Sequence, residues 1–206
     1  MKLITLLVSL CLVLALAVVL GAYQSQQSNP ENKASLREPD REAVMRNTLA
    51  ELLAGSGVHV GSSLPIDGGH SYRELHVRWQ SLEGTAADNL QKEAFAGTMS
   101  RLSAARKQGA LPRLRTLELS PDQVLAIAVD DKQNLRWWTL MNDPRLVRGE
   151  FPTSSGEMTR TDFYQAKIEF FVPYPDDSAI REIHLYHPQW NGKNFQLELL
   201  GRLPAE

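Results

Sequence analysis

Cysteine is nearly missing from this chain. Cys11 is the only one among 206 residues, and it sits inside an apolar run. That scarcity excludes a disulfide framework, cysteine-based zinc sites and a cysteine nucleophile from everything downstream. An excess of positive charge is missing too. Lys and Arg number 22 against 24 Asp and Glu, a formal charge of −2, whereas nucleic-acid binding needs a clustered basic surface. No nucleic-acid partner is therefore expected. Gly68-Gly69 has neither phosphate-loop nor dinucleotide-loop spacing around it, and Gly55-Ser56-Gly57 and Gly61-Ser62-Ser63 lie in no G-x-S-x-G frame. No cofactor is expected. Hydrophobic residues at 43% and charged residues at 22% exclude global disorder. Composition thus leaves an ordinary globular protein and names no activity.

What is present begins with Leu3 to Leu20, an apolar run broken only by Thr5 and Ser9 and preceded by Lys2. That is the layout of an export signal, and it is also nearly the length of about 20 residues that a spanning helix requires. Residues 1–22 are accordingly expected to be a signal peptide or an N-terminal membrane anchor. The next cation after Lys2 is Lys33, so the N-terminus should stay inside and the remainder should be exported. Cys11 follows Leu10 where a lipobox needs a small residue, so it reads as a small hydrophobe. A cysteine-free exported domain points to a periplasmic or outward-facing bacterial envelope protein, touching the membrane through residues 3–20 if they are not cleaved.

Residues 23–39 are rich in Gln, Ser and Asn and read as a polar linker. One globular domain, 40–206, follows. Its first element is a helix opened by Pro39-Asp40 and closed at Gly55 and Gly57, with Val44, Thr48 and Leu52 in one stripe and Met45, Leu49 and Leu53 beside it. The spacing of Leu90, Ala94, Phe95, Met99, Leu102 and Ala105 predicts a second helix over 86–108. Elsewhere the period is two. Tyr72–Gln80 alternates with Leu75, Val77 and Trp79 on one face; 124–129 and 135–140 read as a hairpin around Asp130–Asn134. Residues 166–172 and 181–187 read as a second hairpin, Pro188–Asn194 as a turn and 195–200 as the last strand. Ile168, Phe170, Val172, Ile183, Leu185 and Leu197 form the expected inward set. The class expected is mainly β with one or two helices, an antiparallel β-sandwich of immunoglobulin-like or similar kind, or else an α+β fold with a helix on an antiparallel sheet.

Candidate site residues are few. His184 and His187 are three apart on a strand and point to opposite faces, a poor spacing for a shared metal; His76 and His184 would need Glu74 or Glu182 to complete a shell. No metal site is expected. Asp130, Asp131, Asn134, Asp176 and Asp177 read as turn residues. Trp190 and Tyr186 flank the 188–194 turn. With Tyr174 and Trp138 they make the candidate binding set, a stacking surface for a sugar ring or a peptide, with Gln189, Asn191 and Asn194 as amide donors and acceptors. The competing expectation makes Trp138 the foot of the 86–108 helix and Trp190 a plug at the sandwich end. The leading functional expectation is a non-catalytic envelope domain that binds another protein or a polysaccharide. Its rival is an exported hydrolase built from scattered carboxylates with His76 or His184.

Overall fold

Leu75, Val77 and Trp79 are each fully buried while Glu74, His76 and Arg78 between them are not. This two-residue alternation organises most of the chain. In the computed structural model, residues 38–62, 70–82, 97–111, 117–152 and 155–206 are described. The apolar run Leu3–Leu20, the linker up to Arg37 and residues 86–96 lie outside them.

Among the described residues, helix α1 (Glu38–Leu52) is followed by nine strands: β1 (Ser71–Ser81), β2 (Gly97–Gln108), β3 (Gln123–Val129), β4 (Leu135–Asn142), β5 (Leu146–Pro152), β6 (Met158–Tyr164), β7 (Lys167–Pro175), β8 (Glu182–Trp190) and β9 (Phe195–Pro204). They form a three-stranded sheet in the order β2-β1-β7, a four-stranded sheet β4-β3-β8-β9 and a separate ribbon β5-β6. Every strand pairing is antiparallel. One core joins the two larger sheets. Trp79, Val77, Phe170, Val172 and Tyr174 from the first meet Val124, Ala126, Ala128, Ile183 and Leu185 from the second. A second core lies on the other side of the four-stranded sheet, where Leu49 of α1 and Leu53 just after it cover Leu125, Ile127, Val129 and Tyr186. The layers are thus helix, sheet, sheet, and the expected mainly-β class with a sandwich is what folds.

Several local expectations change. The predicted helix over 86–108 is a strand in its described part, Gly97–Gln108. Ala, Leu, Arg and Met favour helix, but pairing along the whole length of β1, Ser71 opposite Gln108 to Ser81 opposite Gly97, overrides that weak preference. The predicted hairpin between 166–172 and 181–187 does not form. β7 runs on through Pro173-Tyr174-Pro175 and pairs with β1, while β8 lies in the other sheet between β3 and β9. Prolines that donate no hydrogen bond are tolerated there because β7 is an edge. Pro188-Gln189-Trp190 belongs to β8 and not to the turn, which narrows to Asn191–Asn194. The β5–β6 ribbon was not foreseen. Of the expected inward set, Phe170, Val172, Ile183 and Leu185 are buried, and Ile168 and Leu197 are half-buried.

A bulge explains one more difference. Ala128 pairs with Trp137 and Val129 with Leu135, so Arg136 is the extra residue. Strict alternation would put Leu135 on Trp137's face; the bulge instead sends it under α1, leaving Trp137 against the inter-sheet core.

Candidate binding site

The β8–β9 hairpin ends in an aromatic pair. Trp190 and Phe195 are register partners, their ring centroids 5.1 Å apart and inclined by 59°. Trp190 is 53% exposed. The turn between them is held from within. The Asn191 Oδ1 accepts hydrogen bonds from the Lys193 and Asn194 backbone N–H groups, each at 2.9 Å, and the Asn191 amide donates to Asn194 Oδ1 at 2.7 Å. Gly192 supplies the left-handed residue this turn needs, with φ at +92°. Gln189 donates to Glu198 across the strands. The amides expected to recognise sugar hydroxyls are therefore engaged in shaping the turn.

Beyond the pair, alternate residues of β9 continue the same face: Leu197 is half-buried and Leu199 is 43% exposed. Trp190, Phe195, Leu197 and Leu199 make an apolar strip whose backbone is fixed by the β8–β9 ladder.

The other three candidates are placed elsewhere. Tyr186 is buried beneath α1. Tyr174 is buried between the sheets and its hydroxyl donates to the Ala205 carbonyl at 2.8 Å. Burial raises both phenol pKa values, so both stay neutral core residues. Trp138 packs on the second core; it is a foot for a helix, as the competing expectation has it, but for α1 and not for a helix over 86–108. The four do not form one surface; Tyr174 and Tyr186 are buried, Trp138 is half-buried and Trp190 is exposed.

The histidines of the hydrolase expectation are also separated. His76 lies in the three-stranded sheet, stacked on the exposed Phe171 at 4.6 Å and paired with Glu169 at 3.0 Å; Arg78 holds the same carboxylate at 2.7 Å. The Arg78 guanidinium, with His76 beside it, holds the Glu169 carboxyl below its ordinary value. His184 lies in the other sheet and is fully buried, with Nε2 on Glu182 at 2.9 Å and Nδ1 3.5 Å from the Tyr186 hydroxyl. Tyr186, two residues further along the same face of β8, packs in the second core. Among the described residues no group of three His, Cys, Asp or Glu is placed to hold a metal ion.

Sequence reasoning missed one buried group. Asp143 and Arg145 sit at the base of the ribbon, both almost inaccessible, with Arg145 Nη2 2.7 Å from Asp143 Oδ2 and its guanidinium 4.8 Å above the Trp79 ring. The D-x-R spacing in Asn142-Asp143-Pro144-Arg145 was the available signal, but it does not differ from a surface turn until the tertiary fold closes over it. No protein-family model matches this chain, nor does any curated protein or solved structure.

Proposed function

We propose that the chain is a non-catalytic, exported envelope domain that binds another protein through the Trp190–Phe195 tip and the Leu197–Leu199 strip. One observation carries this reading: an indole is left 53% exposed on a hairpin whose own polar groups already fix its shape. A rigid, amphipathic ring on an ordered turn offers contact area at low entropic cost. An apolar strip with its neighbouring amides engaged suits a protein surface better than a polysaccharide. The export part rests on the Lys2 and Leu3–Leu20 pattern. The hydrolase has less support. The hydroxyl that meets His184, that of Tyr186, is buried with it.

The test is Trp190→Ala in the full chain, with cross-linking in intact cells and melting read side by side. A binder loses the cross-linked species seen with the unaltered chain while its stability changes by no more than about 0.5 kcal/mol. A loss of about 3–5 kcal/mol would instead make Trp190 a structural plug and overturn the proposal. Export is tested separately by placing Arg at Leu12 and Leu14. Each charge costs about 2.5–3.5 kcal/mol at the centre of an inserting helix, so the double variant should remain in the cytoplasm.

A further inference from the structure

The β5–β6 ribbon forms a sheet of its own. Its base is fixed by the Leu146 N–H donating to the Asp143 carbonyl and the Gln165 N–H to the Arg145 carbonyl. Away from that base it is two strands wide among the described residues, and a two-stranded ribbon is only marginally stable alone in water. The two edges differ. β5 is interrupted by Gly149 and Pro152, whereas β6, Met-Thr-Arg-Thr-Asp-Phe-Tyr, contains neither glycine nor proline and is rich in strand-forming residues. β6 also carries two large exposed hydrophobics, Met158 at 62% and Phe163 at 37%. No described strand pairs with β6 on the side away from β5.

Three other described edges carry devices that discourage pairing. β7 has Pro173 and Pro175, and β2 ends in Arg106 and Lys107. β9 approaches β2 so closely that a Cβ at Gly201 would lie 3.1 Å from the Met99 side chain. β6 has no proline and no described strand against it on the side away from β5, and its two charges, Arg160 and Asp162, are of opposite sign.

We propose that β6 pairs antiparallel with β6 of a second copy of this chain, about a two-fold axis at Thr161, joining two ribbons into one four-stranded sheet. The order of charges selects that register. With Thr161 opposite itself, Arg160 of each copy stands opposite Asp162 of the other, Thr159 opposite Phe163 and Met158 opposite Tyr164. Moving the axis one residue either way sets Arg160 against Arg160 or Asp162 against Asp162, and like charges directly opposite are unfavourable. A strand with a cation and an anion symmetrically placed about its centre is self-complementary, as an isologous interface requires.

The experiment uses the full chain with Cys11→Ser, so that a single engineered cysteine is the only thiol. Cysteine is placed in turn at Thr159, Thr161 and Phe163, and each variant is oxidised under identical conditions; the mass of the unaltered chain is measured by sedimentation. A disulfide needs Cβ atoms about 3.5–4.5 Å apart. At the axis Thr161→Cys meets its own copy, whereas residues 159 and 163 lie about four residues, roughly 13 Å, along the strand from theirs. The expected result is a dimeric mass and cross-linking at least about tenfold faster for Thr161→Cys than for the other two variants. A monomeric mass, equal cross-linking at all three positions, or a maximum at 159 or 163 would overturn the proposal. A dimer held through some other part of the chain gives no maximum at 161 and is excluded in the same way.

Discussion

Gly97 lies against the indole of Trp79: a Cβ built on it would stand 2.3 Å from the Trp79 ring and 2.7 Å from the Gln80 carbonyl oxygen. β2 can begin beside β1 only because this position carries no side chain, and Trp79 is fully buried partly because it fills that space. Gly97→Ala should therefore destabilise the fold by about 1–3 kcal/mol, the usual cost of overpacking. Trp79→Phe in the same chain should recover part of the loss, since it shortens the ring that the new methyl meets. Urea unfolding of the two single variants and the double variant measures that coupling; strictly additive losses would show that the two residues do not share the space.

The same contact shows where sequence legibility ended. Tyr72–Gln80 alternates cleanly because one face meets the core and the other meets solvent, and so its faces were readable. β2 was not readable. Its strand is mostly exposed, so no strong alternation marks it, and its Ala, Leu and Arg residues suit a helix until β1 is there to pair with. The outer face of β8 failed for the opposite reason: His184 and Tyr186 look like a solvated polar face, yet both are buried, Tyr186 in a core that includes Leu49 of a helix more than a hundred residues earlier in the chain. At the candidate site, Trp190 kept its exposure. Tyr174 and Tyr186 did not, because an aromatic near a turn in sequence says nothing of which sheet the next strand enters.

The buried ion pair yields a sharp contrast. Asp143 and Arg145 are about as inaccessible as any residues in the chain, and Asp143 Oδ1 also accepts the Arg145 backbone N–H at 2.9 Å. Asp143→Ala would remove the carboxylate that a buried guanidinium faces, which costs about 3–5 kcal/mol. Arg136→Ala removes a pair of similar length, Arg136 to Asp177 at 3.0 Å, but both side chains are about one-third exposed. Exposed pairs contribute about 0–1 kcal/mol. Denaturation midpoints should differ accordingly, and equal losses would mean that burial does not govern these pairs.

Ile183 is fully buried in the core between the sheets. Ile183→Ala should cost about 2–5 kcal/mol through lost transfer energy and the cavity left behind. Phe171 is 55% exposed on the outer face of the three-stranded sheet, where Phe171→Ala loses mainly the stack on His76 and should cost about 1 kcal/mol. A melting temperature that responds more to the second change than to the first would place the core on the wrong face of the sheet.

Two buried histidines set a pH dependence whose direction follows from their surroundings. Burial lowers the pKa of His184 from its ordinary 6.5; contact with Glu182 opposes that shift, and burial prevails. Burial likewise lowers His187, whose Nε2 lies 2.8 Å from the Pro121 carbonyl oxygen. In the unfolded chain both titrate near 6.5, so below that pH the unfolded state binds more protons than the folded one. By linkage, stability falls with falling pH. It should therefore be full above about pH 6.5, decline as pH drops towards the lowered folded values, and then level off for these two groups. A further decline is expected below about pH 4, where Asp176 loses what Arg73 contributes by holding its carboxyl below its ordinary 3.8. Urea midpoints measured from pH 8 to pH 3 should show the two falls in that order. Replacing His187 by Gln, which keeps a donor towards Pro121 without titrating, should reduce the upper fall and leave the lower one unchanged. An upper fall of the same size in that variant would remove His187 from the account.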